Sequence, residues 1–244
     1  MLCALLVGSS PTAWAGDFSV NPIRLLLSGA PSNGVLTIKN TSQEALRFQL
    51  SISAWAQEVG GQLILAPTRD VILFPRLVVL APGAQRLIRV GVATAAGPVE
   101  KSYRLFVEEL PPFDGDAATA RTPGVKVRVR VGIPVFVQPA AGRAEPRLAG
   151  MAAQGRRITF ELQNLGVIHV PPQRVRVIGY RPDGAVAWER DLESWYVLAK
   201  GTRRYETLVG PEECAVTSAV GVEVETRPDA LAGRLDPVRL ACVP

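Results

Sequence analysis

GVKVRVRVGIPVFVQP, residues 124 to 139, sets valine at 125, 127, 129 and 131 against Lys126, Arg128 and Arg130. Alternation of period two puts a bare aliphatic row on one face of an extended chain and a cationic row on the other, whereas a helix would scatter both. The stretch reads as a β-strand, and the chain on its N-terminal side reads the same way. YRLFVEEL (103–110), QRLIRVGV (85–92), LRFQLSISAWA (46–56), GVLTIKN (34–40) and FSVNPIRLLL (18–27) are β-rich, with shorter candidates at 62–66 and 71–74. Glycine, proline, asparagine and serine separate them. In LRFQLSISAWA, Leu46, Phe48, Leu50 and Ile52 alternate with other residues, as a half-buried antiparallel strand requires. Roughly seven strands with a turn signal every ~8–12 residues is the pattern of an immunoglobulin-like sandwich.

Beyond VFVQP, the alanine-, glycine- and proline-rich AAGRAEPRLAGMAAQG (140–155) reads as a linker, after which the strand pattern restarts. RRITFELQN (156–164), QRVRVIGYR (173–181), AVAWERD (185–191), RYETLVG (204–210), SAVGVEVET (218–226) and PVRLACV (237–243) are the strands expected there. The two halves resemble one another: VVLAPGAQRLIRV (78–90) aligns with YVLAKGTRRYETL (196–208), and KNTSQEALRFQL (39–50) with QNLGVIHVPPQRVRV (163–177). Two matches in the same order at nearly the same offset point to tandem sandwiches. The expected organisation is an all-β chain with a leader at 1–15, one immunoglobulin-like domain over 16–140 and a second β-sandwich domain over 141–244.

Composition supports that fold and bounds the function. Of 244 residues 48% are hydrophobic, enough for packed cores, while aromatics are only 6% and there are 20 prolines and 22 glycines, which favours short strands over long helices. MLCALLVGSSPTAWA (1–15) is uncharged, opens on an apolar run and ends on the small-x-small pattern Ala13-Trp14-Ala15, so it reads as a secretion signal lacking the usual basic start. The run is too short for a membrane span, and the mature chain from about Gly16 contains no run of about 18 apolar residues. Removal of the leader takes Cys3 with it and leaves Cys214 and Cys242, an even pair that in an oxidising compartment reads as one disulfide. His169 is the only histidine, so cysteine–histidine metal centres are not expected, nor is any cofactor. The net charge is +5, with the cationic surplus in the first half; without interleaved aromatics for stacking bases, the basic row is not a nucleic-acid site.

Catalytic patterns are also missing. There is no G-x-S-x-G elbow, H-E-x-x-H, G-x-G-x-x-G or Walker loop. The doublets Glu108-Glu109 and Glu212-Glu213 would point to opposite faces of a strand, which makes neither a dyad. His169, in GVIHVPP, reads as a turn or inter-domain hydrogen-bonding residue, and Trp55, Trp188 and Trp195 as core or domain-interface residues. The chain is not read as an enzyme.

The valine row has a plain explanation, that it lines its own domain's core. Its length argues for more. VKVRVRVGIPVFV spans 13 residues, where strands of about 5 or 6 are usual. Pro134, with no N–H, suits an edge, and a long apolar edge invites aggregation unless a partner covers it. NPIRL (21–25), FPRLVVLAPGAQRLIRV (74–90), EKSYRLFVEELPP (100–112), IPVFVQP (133–139) and QNLGVIHV (163–170) together resemble the periplasmic chaperones of the chaperone-usher pilus pathway, in the style of the archaic branch associated with spore-coat-U-like pili.

The resemblance implies periplasmic location, pilus or fimbrial subunits and an outer-membrane usher as partners, and a mechanism. Such subunits lack their last strand, and the chaperone lends one of its own by donor-strand complementation. The donated residues would be Val125, Val127 and Val129, with Val131 a fourth, each contributing about 1.5 kcal/mol or more of burial before ordering costs. The subunit's C-terminal carboxylate is anchored in the family by two cations in the cleft between domains. Arg24 falls at the first position. The second, a lysine, aligns with Pro134, and the family's arginine before the closing proline aligns with Gln138. Arg130 and Arg89 are the expected replacements, Arg130 because it shares the parity of Pro134. A loop over 111–124 is expected to let the strand order when a subunit arrives. On the residues alone, a secreted or periplasmic β-sandwich binding or adhesive module stays open, as does a periplasmic hydrolase using carboxylates.

Overall fold

The computed structural model describes residues 18–28, 33–93, 96–111, 128–226, 230–236, 238 and 240–242. The leader at 1–15, the loop residues 112–124 and the valines Val125 and Val127 lie outside them. The strands of the first half are β1 (Phe18–Asn21), β2 (Leu25–Leu27), β3 (Asn33–Asn40), β4 (Leu46–Gln57), β5 (Leu63–Pro67), β6 (Val71–Phe74), β7 (Leu77–Leu80), β8 (Gln85–Val92), β9 (Lys101–Leu110) and β10 (Arg130–Val137). One sheet runs β1-β3-β8-β6 and the other β2-β10-β9-β4-β5, with β7 also pairing β4. Alternation sends Leu36, Ile38, Ile88 and Val90 inward from the first sheet to meet Phe48, Leu50, Leu105, Val107, Ile133 and Val135 from the second in one core. Each fully buried side chain of this size stabilises the sandwich by about 1.5–3 kcal/mol before entropy is counted.

The stretch 18–27, expected as one strand, is divided. Its start pairs antiparallel with β3 and its end pairs parallel with β10, so the chain changes sheet between Asn21 and Leu25. Pro22, with no N–H to give a ladder, stands at that crossing. Arg24 is thereby placed just before β2, beside the strand that carries the valine row.

The second half contains β11 (Pro146–Gln154), β12 (Arg157–Asn164), β13 (Arg174–Tyr180), β14 (Val186–Leu192), β15 (Thr202–Leu208), α1 (Pro211–Val216), β16 (Ala219–Glu225) and β17 (Ala230–Leu235). Its sheets are β11-β12-β15 and β14-β13-β16-β17. Ile158, Phe160 and Leu162 face Val175, Val177, Val220 and Val222 across the interior. Three expectations are corrected. Most of the linker reading at 140–155 is β11, a strand of small residues with a bulge between Ala149 and Ala152, where Gly150 has φ +59°. The last strand is Ala230–Leu235, and the described residues after 237 are in no strand. Glu212 and Glu213 stand in the first turn of α1, where acidic side chains complement the helix dipole, instead of on a strand end. The disulfide joins as expected: Cys214 on α1 is bonded to Cys242 at 2.07 Å, tying the end of the chain to the sandwich.

The internal repeat has a physical core in two asparagines. Asn40, fully buried at the end of β3, donates through Nδ2 to the carbonyls of Glu44, Leu80 and Ala81. Asn164, at the end of β12, donates likewise to Ile168, Val197 and Leu198. The two backbone N–H groups donate to Ala84 and Gly201. In each half the buried side chain ties together the carbonyls of one corner, which keeps its own polar atoms satisfied.

Candidate functional site

β10 is where the two halves meet. Its odd residues Ile133, Val135 and Val137 lie in the first core, and Val131 packs partly against it. Its even residues face the other way. Phe136 stacks on the ring of His169 at 3.7 Å and joins Trp55, Leu198, Trp195 and Tyr196 in an apolar cluster between the sandwiches. Glu100, with a fully buried carboxylate, holds this seam together. The His169 backbone N–H donates to its Oε1 at 3.0 Å, His169 Nδ1 lies 2.8 Å from the same oxygen, and Gln138 Nε2 donates to Oε2 at 3.3 Å. Gln57 Nε2 donates to the Tyr196 carbonyl at 2.9 Å, and Arg204 N–H to the Val59 carbonyl. His169 is thus an inter-domain hydrogen-bonding residue, as its setting in the sequence suggests.

The outer edge of β10 is mostly open. β9 pairs with it from Arg130 to Val137, and the Glu109 N–H donates to the Val129 carbonyl. On the other side β2 covers only Val135 to Val137, so from Arg130 to Pro134 this edge has no strand partner among the described residues. The odd-numbered row therefore passes from core residues to the partly buried Val131 and Val129, and Val127 and Val125, next in the sequence alternation, lie outside the described residues.

The expected cations separate. Continuing the β2–β10 register back one residue sets Arg24 beside Pro134; its side chain is exposed and has no ion pair or hydrogen bond among the described residues. Arg130 is already engaged, 3.5 Å from Glu108 and 3.9 Å above the centre of the Phe106 ring. Arg89 lies apart from Pro134, since β8 belongs to the opposite sheet and Arg89 lines a surface hollow with Phe74, Pro75 and Leu87. The sequence did not single out Arg104, yet it stands directly opposite Pro134 on β9. Its guanidinium has a buried Nη1 without an acceptor, and no carboxylate pairs with it among the described residues. Burial pulls Arg104 below its ordinary guanidinium value, with Tyr196 opposing. A Cβ at Gly132 would come within 2.8 Å of Arg104 Nε and 3.3 Å of Nη2, so the bare glycine lets the guanidinium lie directly against β10. Gly132 was the available signal: glycine within an apolar strand marks a close approach.

Of the two acidic doublets, Glu108 pairs with Arg130 and Glu213 with Arg190 at 2.8 Å. Among the described residues no three His, Cys, Asp or Glu side chains are placed to hold a metal, and no helix is long and apolar enough to cross a membrane.

No curated protein matches the chain in sequence. Solved structures share its fold. The CsuC–CsuE chaperone–tip adhesion subunit complex of archaic Csu pili from Acinetobacter baumannii matches 90% of this chain and 98% of that chain, at 16% identity and a TM-score of 0.59. The SafB chaperone complex with SafA pilin from Salmonella enterica matches 89% and 96%, at 13% identity and 0.58. The CupB2 chaperone of Pseudomonas aeruginosa matches 90% and 100%, at 16% identity and 0.55. Residues 17–143 match the pili and flagellar-assembly chaperone family through its PapD N-terminal domain. The chain belongs to that family of pilus-assembly chaperones.

Proposed function

We propose that this protein is a periplasmic chaperone that holds an incomplete pilus or fimbrial subunit by strand donation and passes it to an outer-membrane usher. Val125, Val127 and Val129 are the donated side chains, and Val131 is shared between the subunit and the chaperone's own core. Main-chain groups on the open edge of β10 extend the sheet into the subunit. The subunit's terminal carboxylate is received by Arg24 and Arg104, which flank Pro134 from the two neighbouring strands, so the cation missing at 134 is supplied one strand away. Arginine suits this task, since its planar fork takes a carboxylate through two parallel bonds. No cofactor and no catalytic step are involved.

One observation supports the reading best: from Arg130 to Pro134 one edge of β10 has no strand partner among the described residues, and beside it stands Arg104, whose buried Nη1 has no acceptor there. The test is co-expression with a pilus subunit, followed by purification of the one-to-one complex. Val129→Asp is expected to abolish the complex, and Arg24→Ala and Arg104→Ala each to weaken it at least tenfold, given that a charge-assisted bond contributes about 1.5–3 kcal/mol. A complex indifferent to all three substitutions would overturn the reading.

A further inference from the structure

Arg104 is not held by its own domain alone. Its guanidinium carbon lies 5.4 Å from the centre of the Trp55 ring, on β4, and 5.1 Å from that of Trp195. Trp195 belongs to the segment between β14 and β15, in the second sandwich. The third wall is the bare backbone of Gly132. Nη1 of Arg104 and Nε1 of both indoles are buried without acceptors, and no hydrogen bond or ion pair fixes Arg104 among the described residues. Ring faces and a glycine are what hold a long side chain that would otherwise sample many rotamers.

Trp195 in turn cannot shift freely. Its neighbour Tyr196 packs on Phe136 at 5.3 Å and on Trp55 at 6.0 Å, meets the His169 ring at 5.3 Å, and has its carbonyl bound by Gln57. The position of the indole over Arg104 is therefore set by the seam between the sandwiches. A cation stripped of water but given no anion attracts a carboxylate more strongly than a solvated one, provided it is already oriented.

Resting on the reading of Arg104 as a carboxylate anchor, we propose that Trp195 is the positioning residue of that anchor, which makes the carboxylate site a composite of both domains. The second sandwich then contributes to subunit binding through an indole that need not touch the subunit.

The test is a double-mutant cycle on the full-length chaperone. The probe is a pilus subunit that co-purifies with the chaperone as a one-to-one complex, either with its native C-terminus or extended by six serines so that the carboxylate is displaced. Trp195→Ala is expected to weaken the native-ended complex roughly tenfold, the scale of a desolvated cation–ring contact. It should have no further effect in an Arg104→Ala background or on the extended subunit. Trp195→Phe should restore most of the affinity, and Trp195→Leu, which keeps the seam filled without an aromatic face, should not. In the free chaperone, the Arg104 Nε–Hε resonance, shifted by two rings, should move in Trp195→Leu and stay in Trp195→Phe. If Arg104→Ala and the serine extension leave binding intact, the anchor reading itself fails. If they weaken it while Trp195 variants act equally with and without Arg104, the anchor stands and the positioning role is overturned.

Discussion

Tyr103 is only 2% exposed, and its hydroxyl finds one partner, donating to Asp70 Oδ2 at 2.7 Å. That bond, supported by Lys101 and opposed by partial burial, holds Asp70 below the usual carboxylate range. Burial, with Asp70 adding, pushes the Tyr103 phenol well above its ordinary value. A depressed carboxylate contributes stability that is complete above its unfolded pKa of about 3.9 and is lost as pH falls through the lower folded value. Tyr103→Phe should therefore cost about 1 kcal/mol at neutral pH, below the range for a fully buried charged bond because water reaches the Asp70 carboxylate. Urea unfolding at pH 7 and pH 2.5 checks this, since the gap from the parent must narrow on the acid side. Residue-level legibility was uneven for a physical reason. The valine row is visible as an alternation and Arg24 through the resemblance, because both lie on continuous stretches of sequence. The role proposed for Arg104 depends on its facing Pro134 across a ladder, and pairing register cannot be read from either strand by itself.

β10 is one strand in two environments. Ile133 is 1% exposed inside the first core, whereas Val129, of the same parity, lies past the paired strand and is only partly buried. Ile133→Asp should cost the free protein at least about 3 kcal/mol, because it buries a charge without a partner. Val129→Asp should change the free protein's unfolding by no more than about 0.5 kcal/mol while removing subunit binding. Thermal melts of the two variants, set beside complex yields, would reveal where the chaperone's own core ends; equal destabilisation would mean that the row is entirely internal. Most strands were legible because apolar alternation is local. The failures occurred where composition misled. Alanine and glycine at 146–154 suggested a linker but build a bulged strand, whose Met151 fits against Gly233, where a Cβ would come within 2.5 Å of its sulfur. PVRLACV was an apolar run, yet Cys242 is held there by a disulfide and no ladder includes it.

At the scale of the molecule, a buried carboxylate lies within the aromatic seam that joins the two sandwiches. Glu100 accepts from the His169 backbone, contacts its ring and binds Gln138 at the root of β10. Glu100→Ala leaves these groups buried without their partner and should cost about 2–3 kcal/mol. Calorimetry should then separate the unfolding of the two halves, and a single unchanged transition would show that the aromatic seam couples them unaided. The tandem architecture could be read from turn chemistry recurring in order, whereas the pairing of Glu100 with His169 spans two domains and leaves no local pattern. The matched corners at Asn40 and Asn164 reach further. With one corner repeated in both halves, each half serves as an internal control for the other: what recurs belongs to the scaffold, and what occurs once, the valine row and the cation opposite Pro134, was free to specialise without endangering the fold.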